Sequence, residues 1–279
     1  MTGDTTLTDE ITALTVTKRD AYTNAPMGGI AFTLTDPEGR TVFTRQTDGG
    51  YRIPCAEADG TSSFLTDANG TAQIRGLTVG SYTLTETVPY GYVSNAPVTF
   101  TLSPSHSVSD PLKLDVVNTP TALLVKKTDA ATGNPLSGAG FKIKVKSGAA
   151  AFRVLSFAKQ TDGSYFCSDS GTETLLMVSG TGELKLIGLP LGELWIEEAV
   201  TPEGYFPISA QKVVITDSMT TASPFSLTIK NSKYVKLGMD SDWWEFPALC
   251  LGILIAAGGT VFFFIRRKKK KGISVPFPR

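Results

Sequence analysis

VTKRDAYTNAPMGGIAFTL, residues 16 to 34, returns as VKKTDAATGNPLSGAGFKI, residues 125 to 143, and the rest of the chain repeats the same plan. QTDGGY at 46–51 answers QTDGSY at 160–165, GTAQIRGLTVGSYTLTET at 70–87 answers GTGELKLIGLPLGELWIEEA at 180–199, and PYGY at 89–92 answers PEGY at 202–205. Segments that recur in unchanged order are two copies of one domain. The closing runs, DVVNTP in the first copy and LTIKNSK in the second, set domain 1 at 13–119 and domain 2 at 120–233. Short alternating runs rich in Thr and Val, broken by Gly, Pro and Asp, predict strands, and no helix-period stretch appears before residue 234. The fold expected is all-β, two tandem Ig-like β-sandwiches.

Successive side chains of a strand point to opposite faces, so the apolar phase marks the core side. In the first strand of domain 1 that phase contains Leu14, Val16 and Lys18; in domain 2 it contains Leu123, Val125 and Lys127, and it excludes Lys126. Before the P-x-G-Y turns, Tyr82 and Leu84 share a face with Glu86, and Leu194 and Ile196 share one with Glu198. In the closing strands Leu112, Leu114 and Val116 lead to Asn118, and Phe225, Leu227 and Ile229 lead to Asn231. Each copy therefore aims one Lys, one Glu and one Asn at its own core.

Burying an isolated ammonium or carboxylate costs several kcal/mol, so doing it twice in register calls for a compensating chemistry. Desolvation favours the neutral forms of both groups. A neutral Lys18 amine can attack the side-chain carbonyl carbon of Asn118 while Glu86 relays protons toward departing ammonia, leaving an amide bond; Lys127, Asn231 and Glu198 repeat the set. The alternative is a pair of buried polar triads that never react. A crosslink from 18 to 118 would close a loop of about 100 residues and add about 4–5 kcal/mol by analogy with a disulfide of that span.

These residues carry a resemblance. Over residues 14–233 each half is similar to the Cna-B or SpaA-like (prealbumin-like) domains of Gram-positive adhesins and pilins. In that family the reactive lysine lies in a K-x-D of the first strand, a glutamate precedes the P-x-G-Y turn, and an asparagine or aspartate ends the last strand. KRD at 18 and KTD at 127, Glu86 and Glu198, and Asn118 and Asn231 stand in those places. The resemblance implies a surface structural or adhesion protein, not an enzyme on an external substrate, with Lys18–Asn118 and Lys127–Asn231 isopeptide bonds. One departure is that Glu86 is a residue closer to its proline than Glu198 is to Pro202, although Gly80 to Glu86 spans the same distance in sequence as Gly192 to Glu198.

Residues 246–265, FPALCLGILIAAGGTVFFFI, are twenty uncharged positions, a helix of about 30 Å and so long enough to span a bilayer. Trp243 and Trp244 precede it as interfacial anchors and RRKKKK follows it, which puts that end in the cytoplasm and the sandwiches outside. A transmembrane helix is expected at 243–265, a juxtamembrane linker at 234–242 and a basic tail at 266–279. The order resembles a cell-wall sorting signal, but YVKLG at 234–238 stands where LPxTG would be, which favours permanent membrane anchoring over sortase processing. Residues 1–12 lack an apolar signal core and read as a leader or truncated linker, with the export signal and any further domains expected to precede residue 1.

The chain is neutral overall, but up to Glu245 it holds 19 basic and 26 acidic residues, a net −7. An acidic body argues against nucleic acid as a partner. Cys55, Cys167 and Cys250 fall one per region, so no disulfide can close within a domain, and Cys55 and Cys167 read as free thiols without a function. His106 is the sole histidine, and no metal-ligand spacing or cofactor motif appears; Asp36, Asp48, Asp67 and Asp162 sit in Gly-rich turns where Asp is expected anyway. Asp20 and Asp129 read as turn caps, and Tyr92 and Tyr205 as core or corner residues. Two functional classes follow: a load-bearing stalk associating with other surface or pilus subunits, or a module binding a host or cell-wall ligand through loops such as 52–66 and 165–177.

Overall fold

The computed structural model describes residues 11–47, 50–53, 60–149 and 151–234. The expected transmembrane segment at 243–265, the basic tail and Cys55 lie outside the described residues, as do residues 1–10 and 235–242. Among the described residues no helix is long and apolar enough to cross a membrane.

Domain 1 consists of β1 (Ala13–Asp20), β2 (Ala31–Thr35), β3 (Arg45–Thr47), β4 (Gly50–Arg52), β5 (Phe64–Leu65), β6 (Thr71–Arg75), β7 (Gly80–Glu86), β8 (Val98–Leu102) and β9 (Leu112–Asn118). They form two sheets, ordered β3-β4-β6-β1-β9 and β5-β2-β7-β8. Domain 2 consists of β10 (Ala122–Asp129), β11 (Gly140–Lys146), β12 (Phe152–Val154), β13 (Phe157–Lys159), β14 (Tyr165–Cys167), β15 (Leu176–Met177), β16 (Glu183–Ile187), β17 (Gly192–Val200), β18 (Gln211–Ile215) and β19 (Phe225–Asn231). Its sheets run β13-β14-β16-β10-β19 and β12-β11-β17-β18, with β15 on β11. The all-β tandem sandwich read from the sequence is the fold observed.

Alternation drives this arrangement. Along β1 the apolar Leu14 and Val16 are fully buried, the intervening Thr15 and Thr17 are not, and β10 repeats the pattern with Leu123 and Val125. Phe32, Leu34, Phe64, Ile74 and Leu84 fill the space between the sheets of domain 1; Phe141, Ile143, Phe157, Leu186 and Ile196 do so in domain 2. Each such side chain contributes about 1.5–3 kcal/mol by leaving water.

The first and last strands of each domain are parallel neighbours. Lys18 is registered with Val116 and Asp20 with Asn118; Lys127 is registered with Ile229 and Asp129 with Asn231. Parallel partners cannot be joined by a tight turn, so the whole sandwich is threaded between them. Residues 119–121 connect the two domains, and Thr121 is fully buried there. Its N–H donates to Gly91 O at 3.0 Å, its hydroxyl donates to Leu189 O at 2.6 Å, and its carbonyl accepts from Gly188 N at 2.9 Å. A Cβ on Gly91 would lie 2.3 Å from Gly188 O, so glycine is needed for this close approach.

Candidate functional site: a Lys, Glu and Asn triad in each sandwich

Lys18 and Lys127 are both 0 % exposed, as are Asn118 and Asn231, while the Glu86 and Glu198 side chains are 4 % and 0 % exposed. Lys and Asn come from adjacent strands of one sheet; Glu comes from β7 or β17 in the sheet opposite. The three residue types singled out by strand phase therefore meet inside each sandwich.

Local structure fixes the lysine backbone. Lys18 N donates to Gly70 O at 2.7 Å and Lys127 N donates to Gly182 O at 2.7 Å. A Cβ at Gly70 or Gly182 would lie 2.5 or 2.7 Å from the same lysine's carbonyl oxygen, and both glycines have positive φ, +70° and +74°. The turn after each lysine is closed by the aspartate two residues on. Asp20 Oδ1 accepts from Tyr22 N and Thr23 N, both at 2.7 Å; Asp129 Oδ1 accepts from Ala131 N at 2.8 Å and Thr132 N at 2.9 Å. Asn24 at φ +58° and Gly133 at φ +74° occupy the same turn position, the two residue types that most readily visit this region.

The second oxygen of each aspartate reveals a role the sequence left open. Tyr92 OH donates to Asp20 Oδ2 at 2.6 Å and Tyr205 OH donates to Asp129 Oδ2 at 2.8 Å. The P-x-G-Y tyrosine thus ties the turn that follows the glutamate strand to the turn that follows the lysine strand. These bonds hold the Asp129 carboxyl down at about 2, with the Thr132 N–H the largest cause and the Tyr205 hydroxyl next. Burial, then the hydrogen bond to Asp20, pushes Tyr92 up.

In domain 2 Lys127 Nζ donates to Asn231 Oδ1 at 2.6 Å, and Asn231 Nδ2 donates to both Glu198 oxygens at 2.9 Å. The Lys127 ammonium is 3.8 Å from Glu198 Oε1 and 3.4 Å from Ile229 O. In domain 1 Lys18 Nζ is 3.6 Å from Glu86 Oε2 and 3.4 Å from Val116 O, and Asn118 Nδ2 donates to Glu86 Oε1 at 2.5 Å. Burial lowers the Lys18 amine to about 8, against the opposing pull of Glu86, and it lowers Lys127 as well. A lysine whose hold on its proton is weakened by burial, a primary amide and a carboxyl are thus packed together twice.

The extra residue before Pro202 does not disturb this arrangement. β17 pairs with β11 through a register shift at Gly140/Phe141, with Phe141 opposite Glu198 and Gly140 opposite Val200. The bulge absorbs Ala199 and keeps Glu198 in phase, as Phe32 opposite Glu86 does in domain 1.

Asn95 is a site residue that strand phase did not reach, because it lies in the segment between β7 and β8. Its Nδ2 donates to Glu86 Oε2 and Val117 O, each at 3.2 Å, and to Asn118 Oδ1. Among the described residues no group of three or more His, Cys, Asp or Glu could hold a metal ion. Cys167 is a buried free thiol whose titration burial pushes up to about 11.

Several solved structures are similar to this chain. The streptococcal ancillary pilin is 22% identical, with 81% of this chain and 63% of that chain covered and a TM-score of 0.37. The shaft pilin SpaA from Lactobacillus rhamnosus GG is 16% identical over 81% of this chain and 99% of that one, TM-score 0.40. The Bacillus anthracis TIE protein is 17% identical over 80% of this chain and 34% of that one, TM-score 0.37. The chain thus spans less than two thirds of the ancillary pilin and about a third of the TIE protein. No curated protein matches it at a significant level. The family model for the SpaA prealbumin-like fold domain matches residues 12–113 and 121–233. With most of its length covered by two successive matches, the chain belongs to the SpaA family and carries its prealbumin-like domain in two tandem copies.

Proposed function

We propose that this chain is a rigid, pilin-like stalk module of a Gram-positive cell surface. In this reading Lys18 is joined to Asn118 and Lys127 to Asn231 by self-formed amide bonds, and residues 243–265 anchor it in the membrane with both sandwiches outside. Its partners are neighbouring surface or pilus subunits. The observation that carries the proposal is the triad of domain 2, where Lys127 Nζ is 2.6 Å from Asn231 Oδ1 and both Glu198 oxygens face Nδ2 at 2.9 Å.

Burial weakens the hold of Lys127 on its proton and so raises the share of neutral amine. The lone pair of that amine adds to Cγ of Asn231, forming the N–C bond, while the carbonyl π pair moves onto Oδ1. Glu198 takes a proton from Nζ and delivers one to Nδ2, which it already contacts. Collapse of the tetrahedral centre breaks Cγ–Nδ2 and releases ammonia. One amine and one primary amide become one secondary amide and one ammonia; Glu198 is regenerated, and no cofactor or oxidant is consumed. The neutral product also removes the cost of holding an ammonium inside the sandwich.

The mechanical sense of the bond follows from topology. β1 and β9 are parallel neighbours, as are β10 and β19, and a bond at their C-terminal ends carries tension from the first strand directly into the last. The chain between Lys18 and Asn118 is then off the load path. The Thr121 hydrogen bonds to Gly91, Gly188 and Leu189 give the joint between the domains little freedom to bend.

Intact mass tests this directly. The full chain should be lighter than its sequence mass by two ammonia, and Lys18→Ala or Lys127→Ala should each reduce the deficit to one. An undiminished wild-type mass would falsify the crosslinks and reduce the triads to polar core.

The reaction should also depend on pH in a defined sense. Lys18 loses its proton near pH 8 in the folded domain, because burial lowers it from 10.5. The rate of ammonia release from domain 1 should therefore rise about tenfold per pH unit below pH 8 and level off above it, since only the neutral amine attacks. Peptide mapping of newly synthesised chain chased at several pH values measures this; a rate that falls with rising pH would contradict the assignment of Lys18 as nucleophile.

A further inference from the structure

Domain 1 carries an amide that its twin lacks. Counting on from the P-x-G-Y turns, Asn95 in domain 1 corresponds to Ile208 in domain 2, and Ile208 packs against the hydrophobic core. Asn95 Nδ2 faces three oxygens, Glu86 Oε2, Val117 O and Asn118 Oδ1. A main-chain carbonyl oxygen can only accept, so its presence here fixes the NH2 end of the Asn95 amide toward the site.

We propose that Asn95 is the oxyanion donor of domain 1, a catalytic residue that hydrogen-bonds Asn118 Oδ1 as that oxygen gains charge; the inference rests on the isopeptide reading above. When Lys18 Nζ bonds to Cγ, the π pair moves to Oδ1, where the Asn95 N–H is already directed. No reorganisation is needed at the moment of reaction, the property that makes a fixed donor effective. The bond to Val117 O ties Asn95 to the residue preceding the electrophile, so donor and acceptor move together. Its contact with Glu86 Oε2 also steers the carboxyl, whose other oxygen holds the leaving Nδ2 at 2.5 Å.

The two domains differ at this oxygen. In domain 2 Asn231 Oδ1 accepts from the nucleophile itself, Lys127 Nζ. In domain 1 the corresponding oxygen accepts from Asn95, and the amine has Val116 O and Glu86 Oε2 as neighbours. Domain 1 thus separates the group that attacks from the group that stabilises the developing charge.

The second domain provides an internal control. Full chain made by cell-free synthesis is sampled with time, digested, and mapped so that the 18–118 and 127–231 crosslinks are counted separately in one sample. Asn95→Ile, which installs the residue domain 2 carries, should slow the domain 1 bond by about 10²–10³-fold, the effect of removing one oxyanion donor, and leave the domain 2 bond unchanged. Asn95→Gln should restore part of the rate, because it keeps the donor. In a Lys18→Ala background, where no bond forms in domain 1, Asn95→Ile should leave the unfolding midpoint within a few degrees, which separates lost chemistry from lost fold. An unchanged domain 1 rate in Asn95→Ile, or a slowing that Asn95→Gln does not relieve, would overturn the inference while leaving the isopeptide reading intact. A wild-type chain without the 18–118 bond would instead remove that reading, and the inference with it.

Discussion

Pulled from its two ends, a chain carrying Asn231→Ala should give way in domain 2 and lengthen by about 350 Å, while the wild-type domain yields no such step. Lys127 and Asn231 are 104 positions apart, and extended chain spans about 3.4 Å per residue. With the amide in place, tension passes from β10 to β19 and the intervening strands are never loaded; without it, that whole loop lies in the force path. The same variant loses the constraint on its unfolded chain, worth about 4.7 kcal/mol for a loop of this size. It also leaves Lys127 buried without its amide partner. Its melting midpoint should fall by roughly 20–30 °C. Single-molecule extension checks the first effect and calorimetry the second. Equal extension in variant and wild type would mean that no covalent bond spans domain 2.

Much of this arrangement was legible in the sequence, because a strand has a period of two and a buried face tolerates few exceptions. Leu14 and Val16 define a phase that includes Lys18, and Leu123 and Val125 define one that includes Lys127 and rejects Lys126; the structure buries Lys18 and Lys127 completely. The duplication strengthened each reading, since a charge in core phase in one copy could be accidental, whereas the same charge in both could not. The glutamates were reached in the same way. The one irregularity, the longer spacing from Glu198 to Pro202, resolves into a bulge at Ala199 that no periodicity argument could locate.

What escaped the sequence reading lies where no strand sets a phase. Asn95 belongs to the segment after the PYGY turn, and its only signal was a polar residue where the repeat has Ile208. Tyr92 and Tyr205 read from the sequence only as core or corner residues; their bonds to Asp20 and Asp129 depend on two turns from different sheets meeting in space. The aspartates were legible as turn caps because an Asx turn is local, closed within three residues. The anchor read at 243–265 rests on hydropathy and flanking charge alone.

Replacing Glu198 by Gln should abolish the domain 2 bond on the timescale at which the wild type completes it, and leave the domain 1 bond unaffected. Gln is nearly isosteric, and its carbonyl can still accept from Asn231 Nδ2, so the packing around β17 and β19 is retained. What it cannot do is take a proton from Nζ and return one to the departing nitrogen. General acid–base transfer of this kind is worth about 10²–10⁴ in rate. The intact mass should then show a deficit of one ammonia in place of two, with peptide mapping placing the surviving crosslink at 18–118. Each lysine has its own carboxyl, Glu86 at 3.6 Å from Lys18 and Glu198 at 3.8 Å from Lys127, so a change at one should not be compensated by the other. A Glu198→Gln chain that still loses two ammonia at the wild-type rate would show that burial and proximity suffice. The proton relay would then have to be assigned elsewhere.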